Sequence, residues 1–310
     1  MKRILIFVII CMMNKGMAQN KENIVGLYAL GSHSPEGGSH LFVLENGKFV
    51  ITYFGGVQVG SWRIDKDQTF LFTPDTKKNE FELYGRYNKK IQDSLKIFFT
   101  GFEESRSFMS LKKSKDDHYI MKQVFNDDAN CFGYPYVETF KKDSDLISFM
   151  AINERMNTAI YNFNIKGFND FIACFFTREN EVYPFYTTLK DNKLYIDENE
   201  YSEKRPLPTE GEDIEFIRAI ANKNTSENAL FYNPSYNPFK EDINASHVFD
   251  KEKQAYIIPG FYKEGNEDRT DDEAFFDISI IYKYELCTGT FAKSVNYKIE
   301  DKPIFQVNCK

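Results

Sequence analysis

The sequence predicts a mainly β protein, in which an antiparallel meander forms a barrel or a sandwich and is followed by a second β-rich unit with one short helix. Two observations predict this class. Short alternating or continuous apolar runs, separated by turn residues, fill nearly the whole chain. A run of helical periodicity that is long enough to predict a helix occurs at one place only. Many short strands at this spacing are typical of barrels and sandwiches.

Residues 1–18 have the pattern of a secretory signal peptide. Lys2 and Arg3 precede an uncharged apolar run over residues 4–13, and small residues at Gly16 and Ala18 supply a cleavage site. The apolar run is shorter than the roughly 20 residues that a membrane-spanning helix needs. We therefore expect cleavage near Ala18, a secreted or periplasmic location, and no transmembrane segment in the mature chain.

Residues 19–112 are predicted to form the N-terminal antiparallel β domain. Its strands are expected near residues 24–31, 40–45, 48–54, 57–64, 69–73, 80–87, 94–100 and 106–111. Asn46-Gly47 lies between the second and third strands, and this dipeptide is the strongest short-range hairpin signal because a primed turn needs positive φ at both central residues. The strand spacing predicts a meander.

The hairpin around Asn46-Gly47 is apolar on both faces. Leu41 and Val43 point to one side, whereas Phe42 and Leu44 point to the other. Since a large apolar face is unfavourable in water, a second element must cover it. The sequence leaves three covers open: the C-terminal half of the chain, a partner, or a ligand.

Residues 26–65 combine a Gly-x-Tyr strand, the Asn-Gly hairpin and Gly60-Ser61-Trp62. This combination resembles the lipocalin-like meanders of uncharacterised exported bacterial proteins. The resemblance implies a β-barrel with a central ligand cavity. Trp62 is the only tryptophan, and we expect it to fill the core rather than to face a ligand.

Residues 113–310 are predicted to form a C-terminal β-rich domain, because residues 111–120 are polar, charged and without apolar periodicity. One helix is expected after Pro208, where Thr209 and Glu212 have the spacing of a capping box. Its apolar face contains Ile214, Ile217, Ile220 and Ala221. The helix should end near residues 222–224 and pack against a sheet.

Four cysteines remain after signal cleavage, an even number in an oxidising compartment. If the last strands form a simple meander, Cys287 and Cys309 finish at the same end, which makes them the first predicted disulfide. Cys131 with Cys174 follows by elimination among three connectivities.

His33 and His40 flank a Ser-Pro-Glu-Gly-Gly turn and are expected to face each other across two strands. A metal site needs three or four ligands and further groups that orient them by hydrogen bonds. We therefore predict a polar hairpin and no metal. The two histidines remain candidate binding residues.

Tyr134 and Tyr136 follow the polar segment Asn126-Asp127-Asp128. Aromatic faces can stack on sugars while carboxylates and amides bind hydroxyl groups, so this stretch is a candidate glycan site. The alternative interpretation is a turn ahead of a buried aromatic strand.

Composition excludes several functional classes. The formal charge of −7 and the lack of basic clusters argue against nucleic acid as a partner. Nucleotide-binding loops, the Gly-x-Ser-x-Gly elbow and His-Glu-x-x-His are absent from the sequence, and no cofactor is predicted.

The 30 Phe and 19 Tyr residues exceed what two small sheets commonly need. We therefore expect a non-catalytic binding module for a small ligand, a glycan or an envelope partner. Two alternatives remain open: a secreted hydrolase that uses paired carboxylates, and a structural or assembly protein of the envelope.

Overall fold

The computed structural model confirms the mainly β fold class, with 50% strand and 9% helix. It describes residues 24–31, 38–66, 69–75, 79–104, 106–111, 118–152, 159–176, 183–196, 200–222, 228–237, 243–269, 271–293 and 296–309. The predicted signal peptide and His33 lie outside these ranges.

The described elements are 22 strands and the helix α1, with short 3-10 turns between some of them. Their bounds are β1 Gly26–Leu30, β2 Ser39–Val43, β3 Lys48–Tyr53, β4 Gly56–Lys66, β5 Thr69–Pro74, β6 Phe81–Arg86, β7 Ser94–Thr100, β8 Ser107–Ser110, β9 Tyr119–Gln123, β10 Tyr136–Lys141, β11 Leu146–Ala151, β12 Ala159–Asn164, β13 Asp170–Phe175, β14 Phe185–Lys190, β15 Lys193–Tyr195, β16 Tyr201–Glu203, α1 Glu212–Asn222, β17 Ala229–Tyr232, β18 Val248–Asp250, β19 Ala255–Ile257, β20 Ile280–Leu286, β21 Gly289–Lys293 and β22 Tyr297–Glu300.

The chain divides into two discontinuous units. Unit 1 comprises Met1–Thr76 and Asn180–Thr225, and unit 2 comprises Lys77–Glu179 and Ser226–Lys310. The predicted boundary between residues 112 and 113 instead falls inside unit 2, between β8 and β9, which pair with each other. The polar stretch thus lies between two strands that pair within one unit.

Unit 1 is a nearly closed antiparallel barrel in the order β1-β2-β3-β4-β5-β14-β15-β16. Reciprocal backbone hydrogen bonds of 2.9 Å between Leu27 and Arg205 bring the first strand beside the end of the last one. The meander predicted from the N-terminal sequence therefore contributes only β1–β5. Strands β6, β7 and β8 belong to other sheets, and three later strands complete the barrel.

Large side chains fill the barrel interior. The cluster contains Ile24, Tyr28, Leu41, Val43, Phe49, Trp62, Phe70, Phe72, Leu189 and Leu194. Trp62 donates its indole N–H to the carbonyl of Leu44 at 3.0 Å, and the Tyr28 hydroxyl donates to the carbonyl of Ile24 at 2.6 Å. Trp62 is thus a core residue, as predicted, and the interior is packed in the manner of small barrels.

Helix α1 covers the second face of the apolar hairpin. Ile214, Ile217 and Ala221 are buried in one cluster with Leu44 and Val50. Phe42 packs against the same cluster. The hairpin is therefore covered on both faces, and the cover comes from the C-terminal half of the chain. In the described part of the chain, no helix is long and apolar enough to cross a bilayer.

Unit 2 is a β-sandwich. One sheet has the order β10-β7-β13-β6-β20-β19-β18 with β17 also on β20, and the other has the order β21-β12-β11-β8-β9-β22. Aromatic side chains from both sheets meet between them; Phe81 of β6, for example, lies 5.4 Å from Phe149 of β11 between ring centroids. This buried cluster is the larger core of the protein.

Both predicted disulfides are wrong, because the disulfide in the structure joins Cys131 to Cys309. The last strands do not form a meander, since β20 joins the first sheet while β21 and β22 lie at opposite edges of the second. Cys174 and Cys287 are both buried, but they belong to clusters on opposite faces of the first sheet. Side chains that point to opposite faces cannot meet.

Candidate functional site

An exposed aromatic loop, residues 131–135, precedes β10 in unit 2. Phe132 is 37% exposed and Tyr134 is 46% exposed, whereas Tyr136, the first residue of the strand, is buried. The structure thus brings Tyr134 and Tyr136 together, with 5.8 Å between ring centroids, but gives them different surroundings. Phe132, which the sequence analysis did not single out, completes the exposed pair.

The C-terminal tail holds the aromatic loop in place. The Cys131–Cys309 disulfide, with a Cα–Cα distance of 5.3 Å, links the loop to the tail. Asn130 Oδ1 accepts the backbone N–H of Cys309, and Asn126 Oδ1 accepts that of Val307, both at 2.6 Å. Because these contacts come from residues distant in sequence, no local pattern could have predicted them.

Buried rings support the exposed ones from behind. The Tyr136 hydroxyl accepts the backbone N–H of Gly133 at 2.6 Å, which fixes the middle of the loop. Phe125 contacts Phe132 edge to face, with 5.3 Å between centroids. Such aromatic contacts add stability beyond the area they bury, so the two exposed rings are held in position before any ligand arrives.

The Glu103 carboxylate lies beside Tyr134, and Asp127 precedes the loop in the chain. The Tyr134 hydroxyl donates a hydrogen bond to Glu103. Asp127 accepts a hydrogen bond from Gln123 at 2.9 Å and forms an ion pair with Arg106 at 3.3 Å. The arrangement offers flat apolar ring faces next to acceptors for hydroxyl groups, which is the chemistry that a sugar ring requires.

The histidine candidate does not form a comparable site. His40 lies in β2 of unit 1, opposite Ala29 on one side and Thr52 on the other. Its predicted neighbour His33 is outside the described residues. Within the described ranges, no group of three or more His, Cys, Asp or Glu side chains is placed to hold a metal ion.

A second polar feature is a row of charges across the first sheet of unit 2. Asp170 of β13 is paired in register with Arg86 of β6 and with Lys96 of β7. Asp170 is the one acidic side chain that is buried among the described residues, and its Oδ2 lies 2.6 Å from Arg86 Nη2. We refer to Lys96, Asp170 and Arg86 as the charge row.

Tyr236 reaches the charge row from a loop that covers this face of the sheet. Its hydroxyl donates to Asp170 Oδ1, and its φ of 52° places it in the left-handed region that few non-glycine residues adopt. Asn233 holds the loop by accepting the N–H of Asn237 at 3.0 Å and donating to the carbonyl of Phe275 at 2.9 Å. Strain of this kind persists only where the surroundings enforce it, and it is concentrated at functional positions.

Burial sets the protonation of the groups around the charge row. Burial raises the pKa of Tyr236 and of Tyr284 above the usual value, so both hydroxyls keep their protons. Burial also lowers the pKa of Lys96, and Arg86 lowers it further, while Asp170 opposes the change. Burial alone would lower the pKa of Arg86, but Tyr284 and Asp170 raise it. The guanidinium therefore stays charged.

In comparisons with known proteins, no family model, no curated protein and no solved structure matches this chain.

Proposed function

We propose that this protein is an exported, non-catalytic module that binds neutral glycans through the aromatic loop at residues 131–135. The observation that carries the proposal is the fixed display of Phe132 and Tyr134 beside the Glu103 carboxylate. Aromatic rings held in place by the disulfide lose little conformational entropy on binding, and such preorganisation increases affinity.

Charge favours a neutral ligand over a polyanion. The chain carries a formal charge of −7, and the Glu103 carboxylate accepts a hydrogen bond from Tyr134 in the loop. A sulfated or phosphate-rich glycan would be repelled. Binding through ring faces and hydroxyl groups would depend little on salt, in contrast to the steep salt dependence of binding to phosphate backbones.

The test is isothermal titration of the mature protein with neutral oligosaccharides chosen from a polysaccharide panel by affinity electrophoresis. We expect a Phe132→Ala/Tyr134→Ala variant to bind at least about tenfold more weakly, because each ring contributes roughly 1 kcal/mol or more when it stacks on a ligand. Phe261→Ala is the matched control, since Phe261 is also in unit 2 and is 75% exposed.

Two outcomes would overturn the proposal. One is equal affinity of the wild type and the double variant for the bound glycan. The other is a panel in which the folded wild-type protein binds none of the neutral glycans.

A role in envelope assembly is a second candidate, favoured by tyrosines on the outside of the barrel. Tyr186 of β14 and Tyr201 of β16 are 55% and 48% exposed, and Tyr195 of β15 lies 5.5 Å from Tyr201. Such aromatic residues are enriched in protein interfaces. Native mass spectrometry of protein purified from its host would show a partner in the wild type and its loss in Tyr186→Ser/Tyr201→Ser.

A hydrolase with paired carboxylates has less support. Such an enzyme needs two acids that flank a cleft. The described side chains in direct polar contact with the buried Asp170 are Arg86, Asn88 and Tyr236, and none of them is a second acid.

A further inference from the structure

Strand β17 lies at one side of the first sheet of unit 2. It pairs with β20 and with no other described strand, in a register that aligns Ala229 with Glu285 and Phe231 with Lys283. Strands β6 and β19 both pair with β20 along its opposite side. Within the part of the chain that the structure describes, β17 therefore has one unpaired side, which we call the free edge.

The backbone groups of Ala229 and Phe231 point to the free edge. The carbonyl of Asn228 accepts the N–H of Leu286 at 3.0 Å, so the backbone of Asn228 faces β20. In an antiparallel strand the backbone groups of successive residues point alternately toward the partner strand and away from it. Ala229 and Phe231 therefore present two N–H groups and two carbonyl groups to the free edge, a row of donors and acceptors that fits another extended backbone.

A groove of about 770 Å³ lies over β17 and the end of β20. It is lined by Asn228, Ala229, Phe231, Lys283, Glu285 and Leu286. Both strands contribute to it because residues that are opposite each other in register place their side chains on the same face of the sheet. The volume is in the range of ligand-binding pockets. A strand added at the free edge would therefore direct alternate side chains to the face that holds this groove.

The wall of the groove is held in position without a ligand. Phe231 contacts Tyr256 of β19 edge to face, with 5.2 Å between ring centroids, and Tyr256 contacts Phe249 of β18 in the same way at 5.1 Å. On the opposite face of the sheet, Leu230 and Tyr232 pack in one apolar cluster. Strand β17 is thus anchored on both faces, so a ligand would have few protein groups left to order.

The charges in the groove favour an uncharged side chain. Lys283 Nζ and Glu285 Oε1 lie 3.0 Å apart and neutralise each other. The other residues that line the groove carry no formal charge, and Leu286, which is 41% exposed, adds apolar surface. A charged side chain in the groove would have to displace one member of the ion pair, whereas an apolar one would bury the faces of Phe231 and Leu286.

The sequence of β17 lacks the residues that protect a free edge. Proteins blunt such edges with charged residues or proline, and Ala229–Tyr232 contains neither. The other outermost strands of the two sheets each contain a charged residue in their sequences: Glu138 in β10, Asp250 in β18, Lys293 in β21 and Glu300 in β22. An unprotected edge is expected where a further strand is added.

We propose that the free edge of β17 and its groove bind an extended peptide segment of a partner protein by strand addition. The backbone of the peptide would pair with Ala229 and Phe231, and an uncharged apolar side chain of the peptide would enter the groove. In this mode, backbone hydrogen bonds supply affinity and the pocket for a side chain supplies specificity. The surface is distinct from the aromatic loop at residues 131–135, so the proposal does not depend on the proposed glycan function.

The experiment measures the binding of fluorescent heptapeptides to the full mature protein by fluorescence anisotropy. Both ends of each peptide are blocked, and threonine alternates along it with one varied residue. We expect saturable binding when the varied residue is leucine, valine or phenylalanine. Binding should be at least about tenfold weaker when it is aspartate or lysine, because these side chains gain no apolar burial in the groove.

Ala229→Pro blocks the free edge. It removes an N–H that points away from β20 and places the proline ring at the edge, while the hydrogen bonds between β17 and β20 stay intact. We expect this variant to bind the peptides at least about tenfold more weakly. Ala229→Ser is the matched control, because it keeps the N–H and a small side chain, and it should bind as the wild type does.

Methylation of the peptide backbone tests the same pairing without a change to the protein, and it applies even if Ala229→Pro does not fold. Methyl groups are placed on one or the other alternate set of amide nitrogens in the tightest-binding peptide. Because only one set of N–H groups can face β17, one methylated peptide should lose binding and the other should keep it.

The proposal is overturned if none of the peptides binds the wild type saturably, if folded Ala229→Pro binds as the wild type does, or if both methylated peptides bind alike. It is also overturned if native mass spectrometry without peptide shows a dimer that Ala229→Pro abolishes, because a second copy of this chain would then occupy the free edge.

Discussion

At the scale of single residues, Asp170 is held by contacts to both of its carboxylate oxygens. It is fully buried, and its two oxygens bind a guanidinium, an amide and a hydroxyl. A buried ion pair contributes little net stability when formed, but removing one partner leaves the other charge uncompensated.

Asp170→Asn should therefore destabilise the protein by about 3 to 5 kcal/mol, because Arg86 would remain charged and largely shielded from water. The measurement is urea unfolding of the mature protein. Glu285→Gln breaks the partly exposed pair with Lys283 and should cost less than about 1 kcal/mol. Similar small losses in both variants would contradict the role assigned to Asp170.

Cys287 gives a prediction about pH. Burial, with a smaller contribution from Glu285, raises the pKa of its thiol from 9.0 to about 12. The native state therefore holds the proton more tightly than the unfolded state. This contribution to stability is complete below pH 9.0 and is lost as the pH rises from 9.0 to about 12, with a slope of at most about 1.4 kcal/mol per pH unit.

The free energy of unfolding should consequently fall more steeply above pH 9.0 in the wild type than in Cys287→Ala. Because ionising tyrosines contribute equally to both proteins, the difference between the two curves isolates the thiol. Parallel curves up to pH 12 would contradict the prediction. At pH 8 the folded wild type should also react slowly with thiol reagents, since the thiolate is the reactive form.

At the scale of elements, the C-terminal tail holds residues 124–130 in place. It pairs with residues 124–130 through backbone bonds such as Phe305 N–H to Val124 O at 2.9 Å, and Phe305 packs on Tyr136 with 5.3 Å between centroids. The disulfide closes a loop with a sequence separation of 178 residues. Long loops gain most from such a cross-link in the chain-entropy model.

Cys131→Ser/Cys309→Ser should lower the free energy of unfolding by roughly 2 to 5 kcal/mol, because the unfolded chain regains the entropy of the long loop. The same variant should bind the glycan more weakly, since Phe132 and Tyr134 lose their fixed positions. Calorimetry and titration measure the two effects. The control is the variant with added reductant, which should change neither its stability nor its affinity. If the mutation itself changes neither quantity, the tail is held in place without the disulfide.

At the scale of the whole molecule, each unit is assembled from two separate stretches of chain. Unit 1 resumes at Asn180, after about a hundred residues of unit 2, and adds β14–β16 to the barrel. In the sequence, β14–β16 lie within residues 113–310, which were predicted to form the C-terminal domain. The two units therefore differ in their bounds from the two predicted domains.

The signal peptide stays a prediction at this scale. Protein purified from the exterior or periplasm of its host should have a mass that corresponds to a chain beginning at Gln19. The Ala18→Trp variant should retain the full-length mass, because a bulky side chain blocks the cleavage site. A wild-type protein that keeps Met1 after export would contradict it.

Local features of the fold were predictable, whereas the candidate sites were predictable only in part. The eight N-terminal strands and helix α1 lie close to their predicted positions, since alternation, turn residues and the capping box are local signals. Alternation along the strand was not a reliable guide in β20, where the neighbours Ile280 and Ile281 are both buried. The sheet in which β20 lies is covered on both faces, which removes the expected alternation.

The sequence by itself determined the secondary structure, the mainly β class and the need for a cover over the apolar hairpin, because these depend on neighbours within a few residues. Only the tertiary structure decided which strands share a sheet, that Cys131 meets Cys309, and that Lys96, Asp170 and Arg86 stand in one row. Strand pairing joins residues far apart in the chain, and many registers satisfy the same alternating pattern. The choice among them is made by the packing of the whole core.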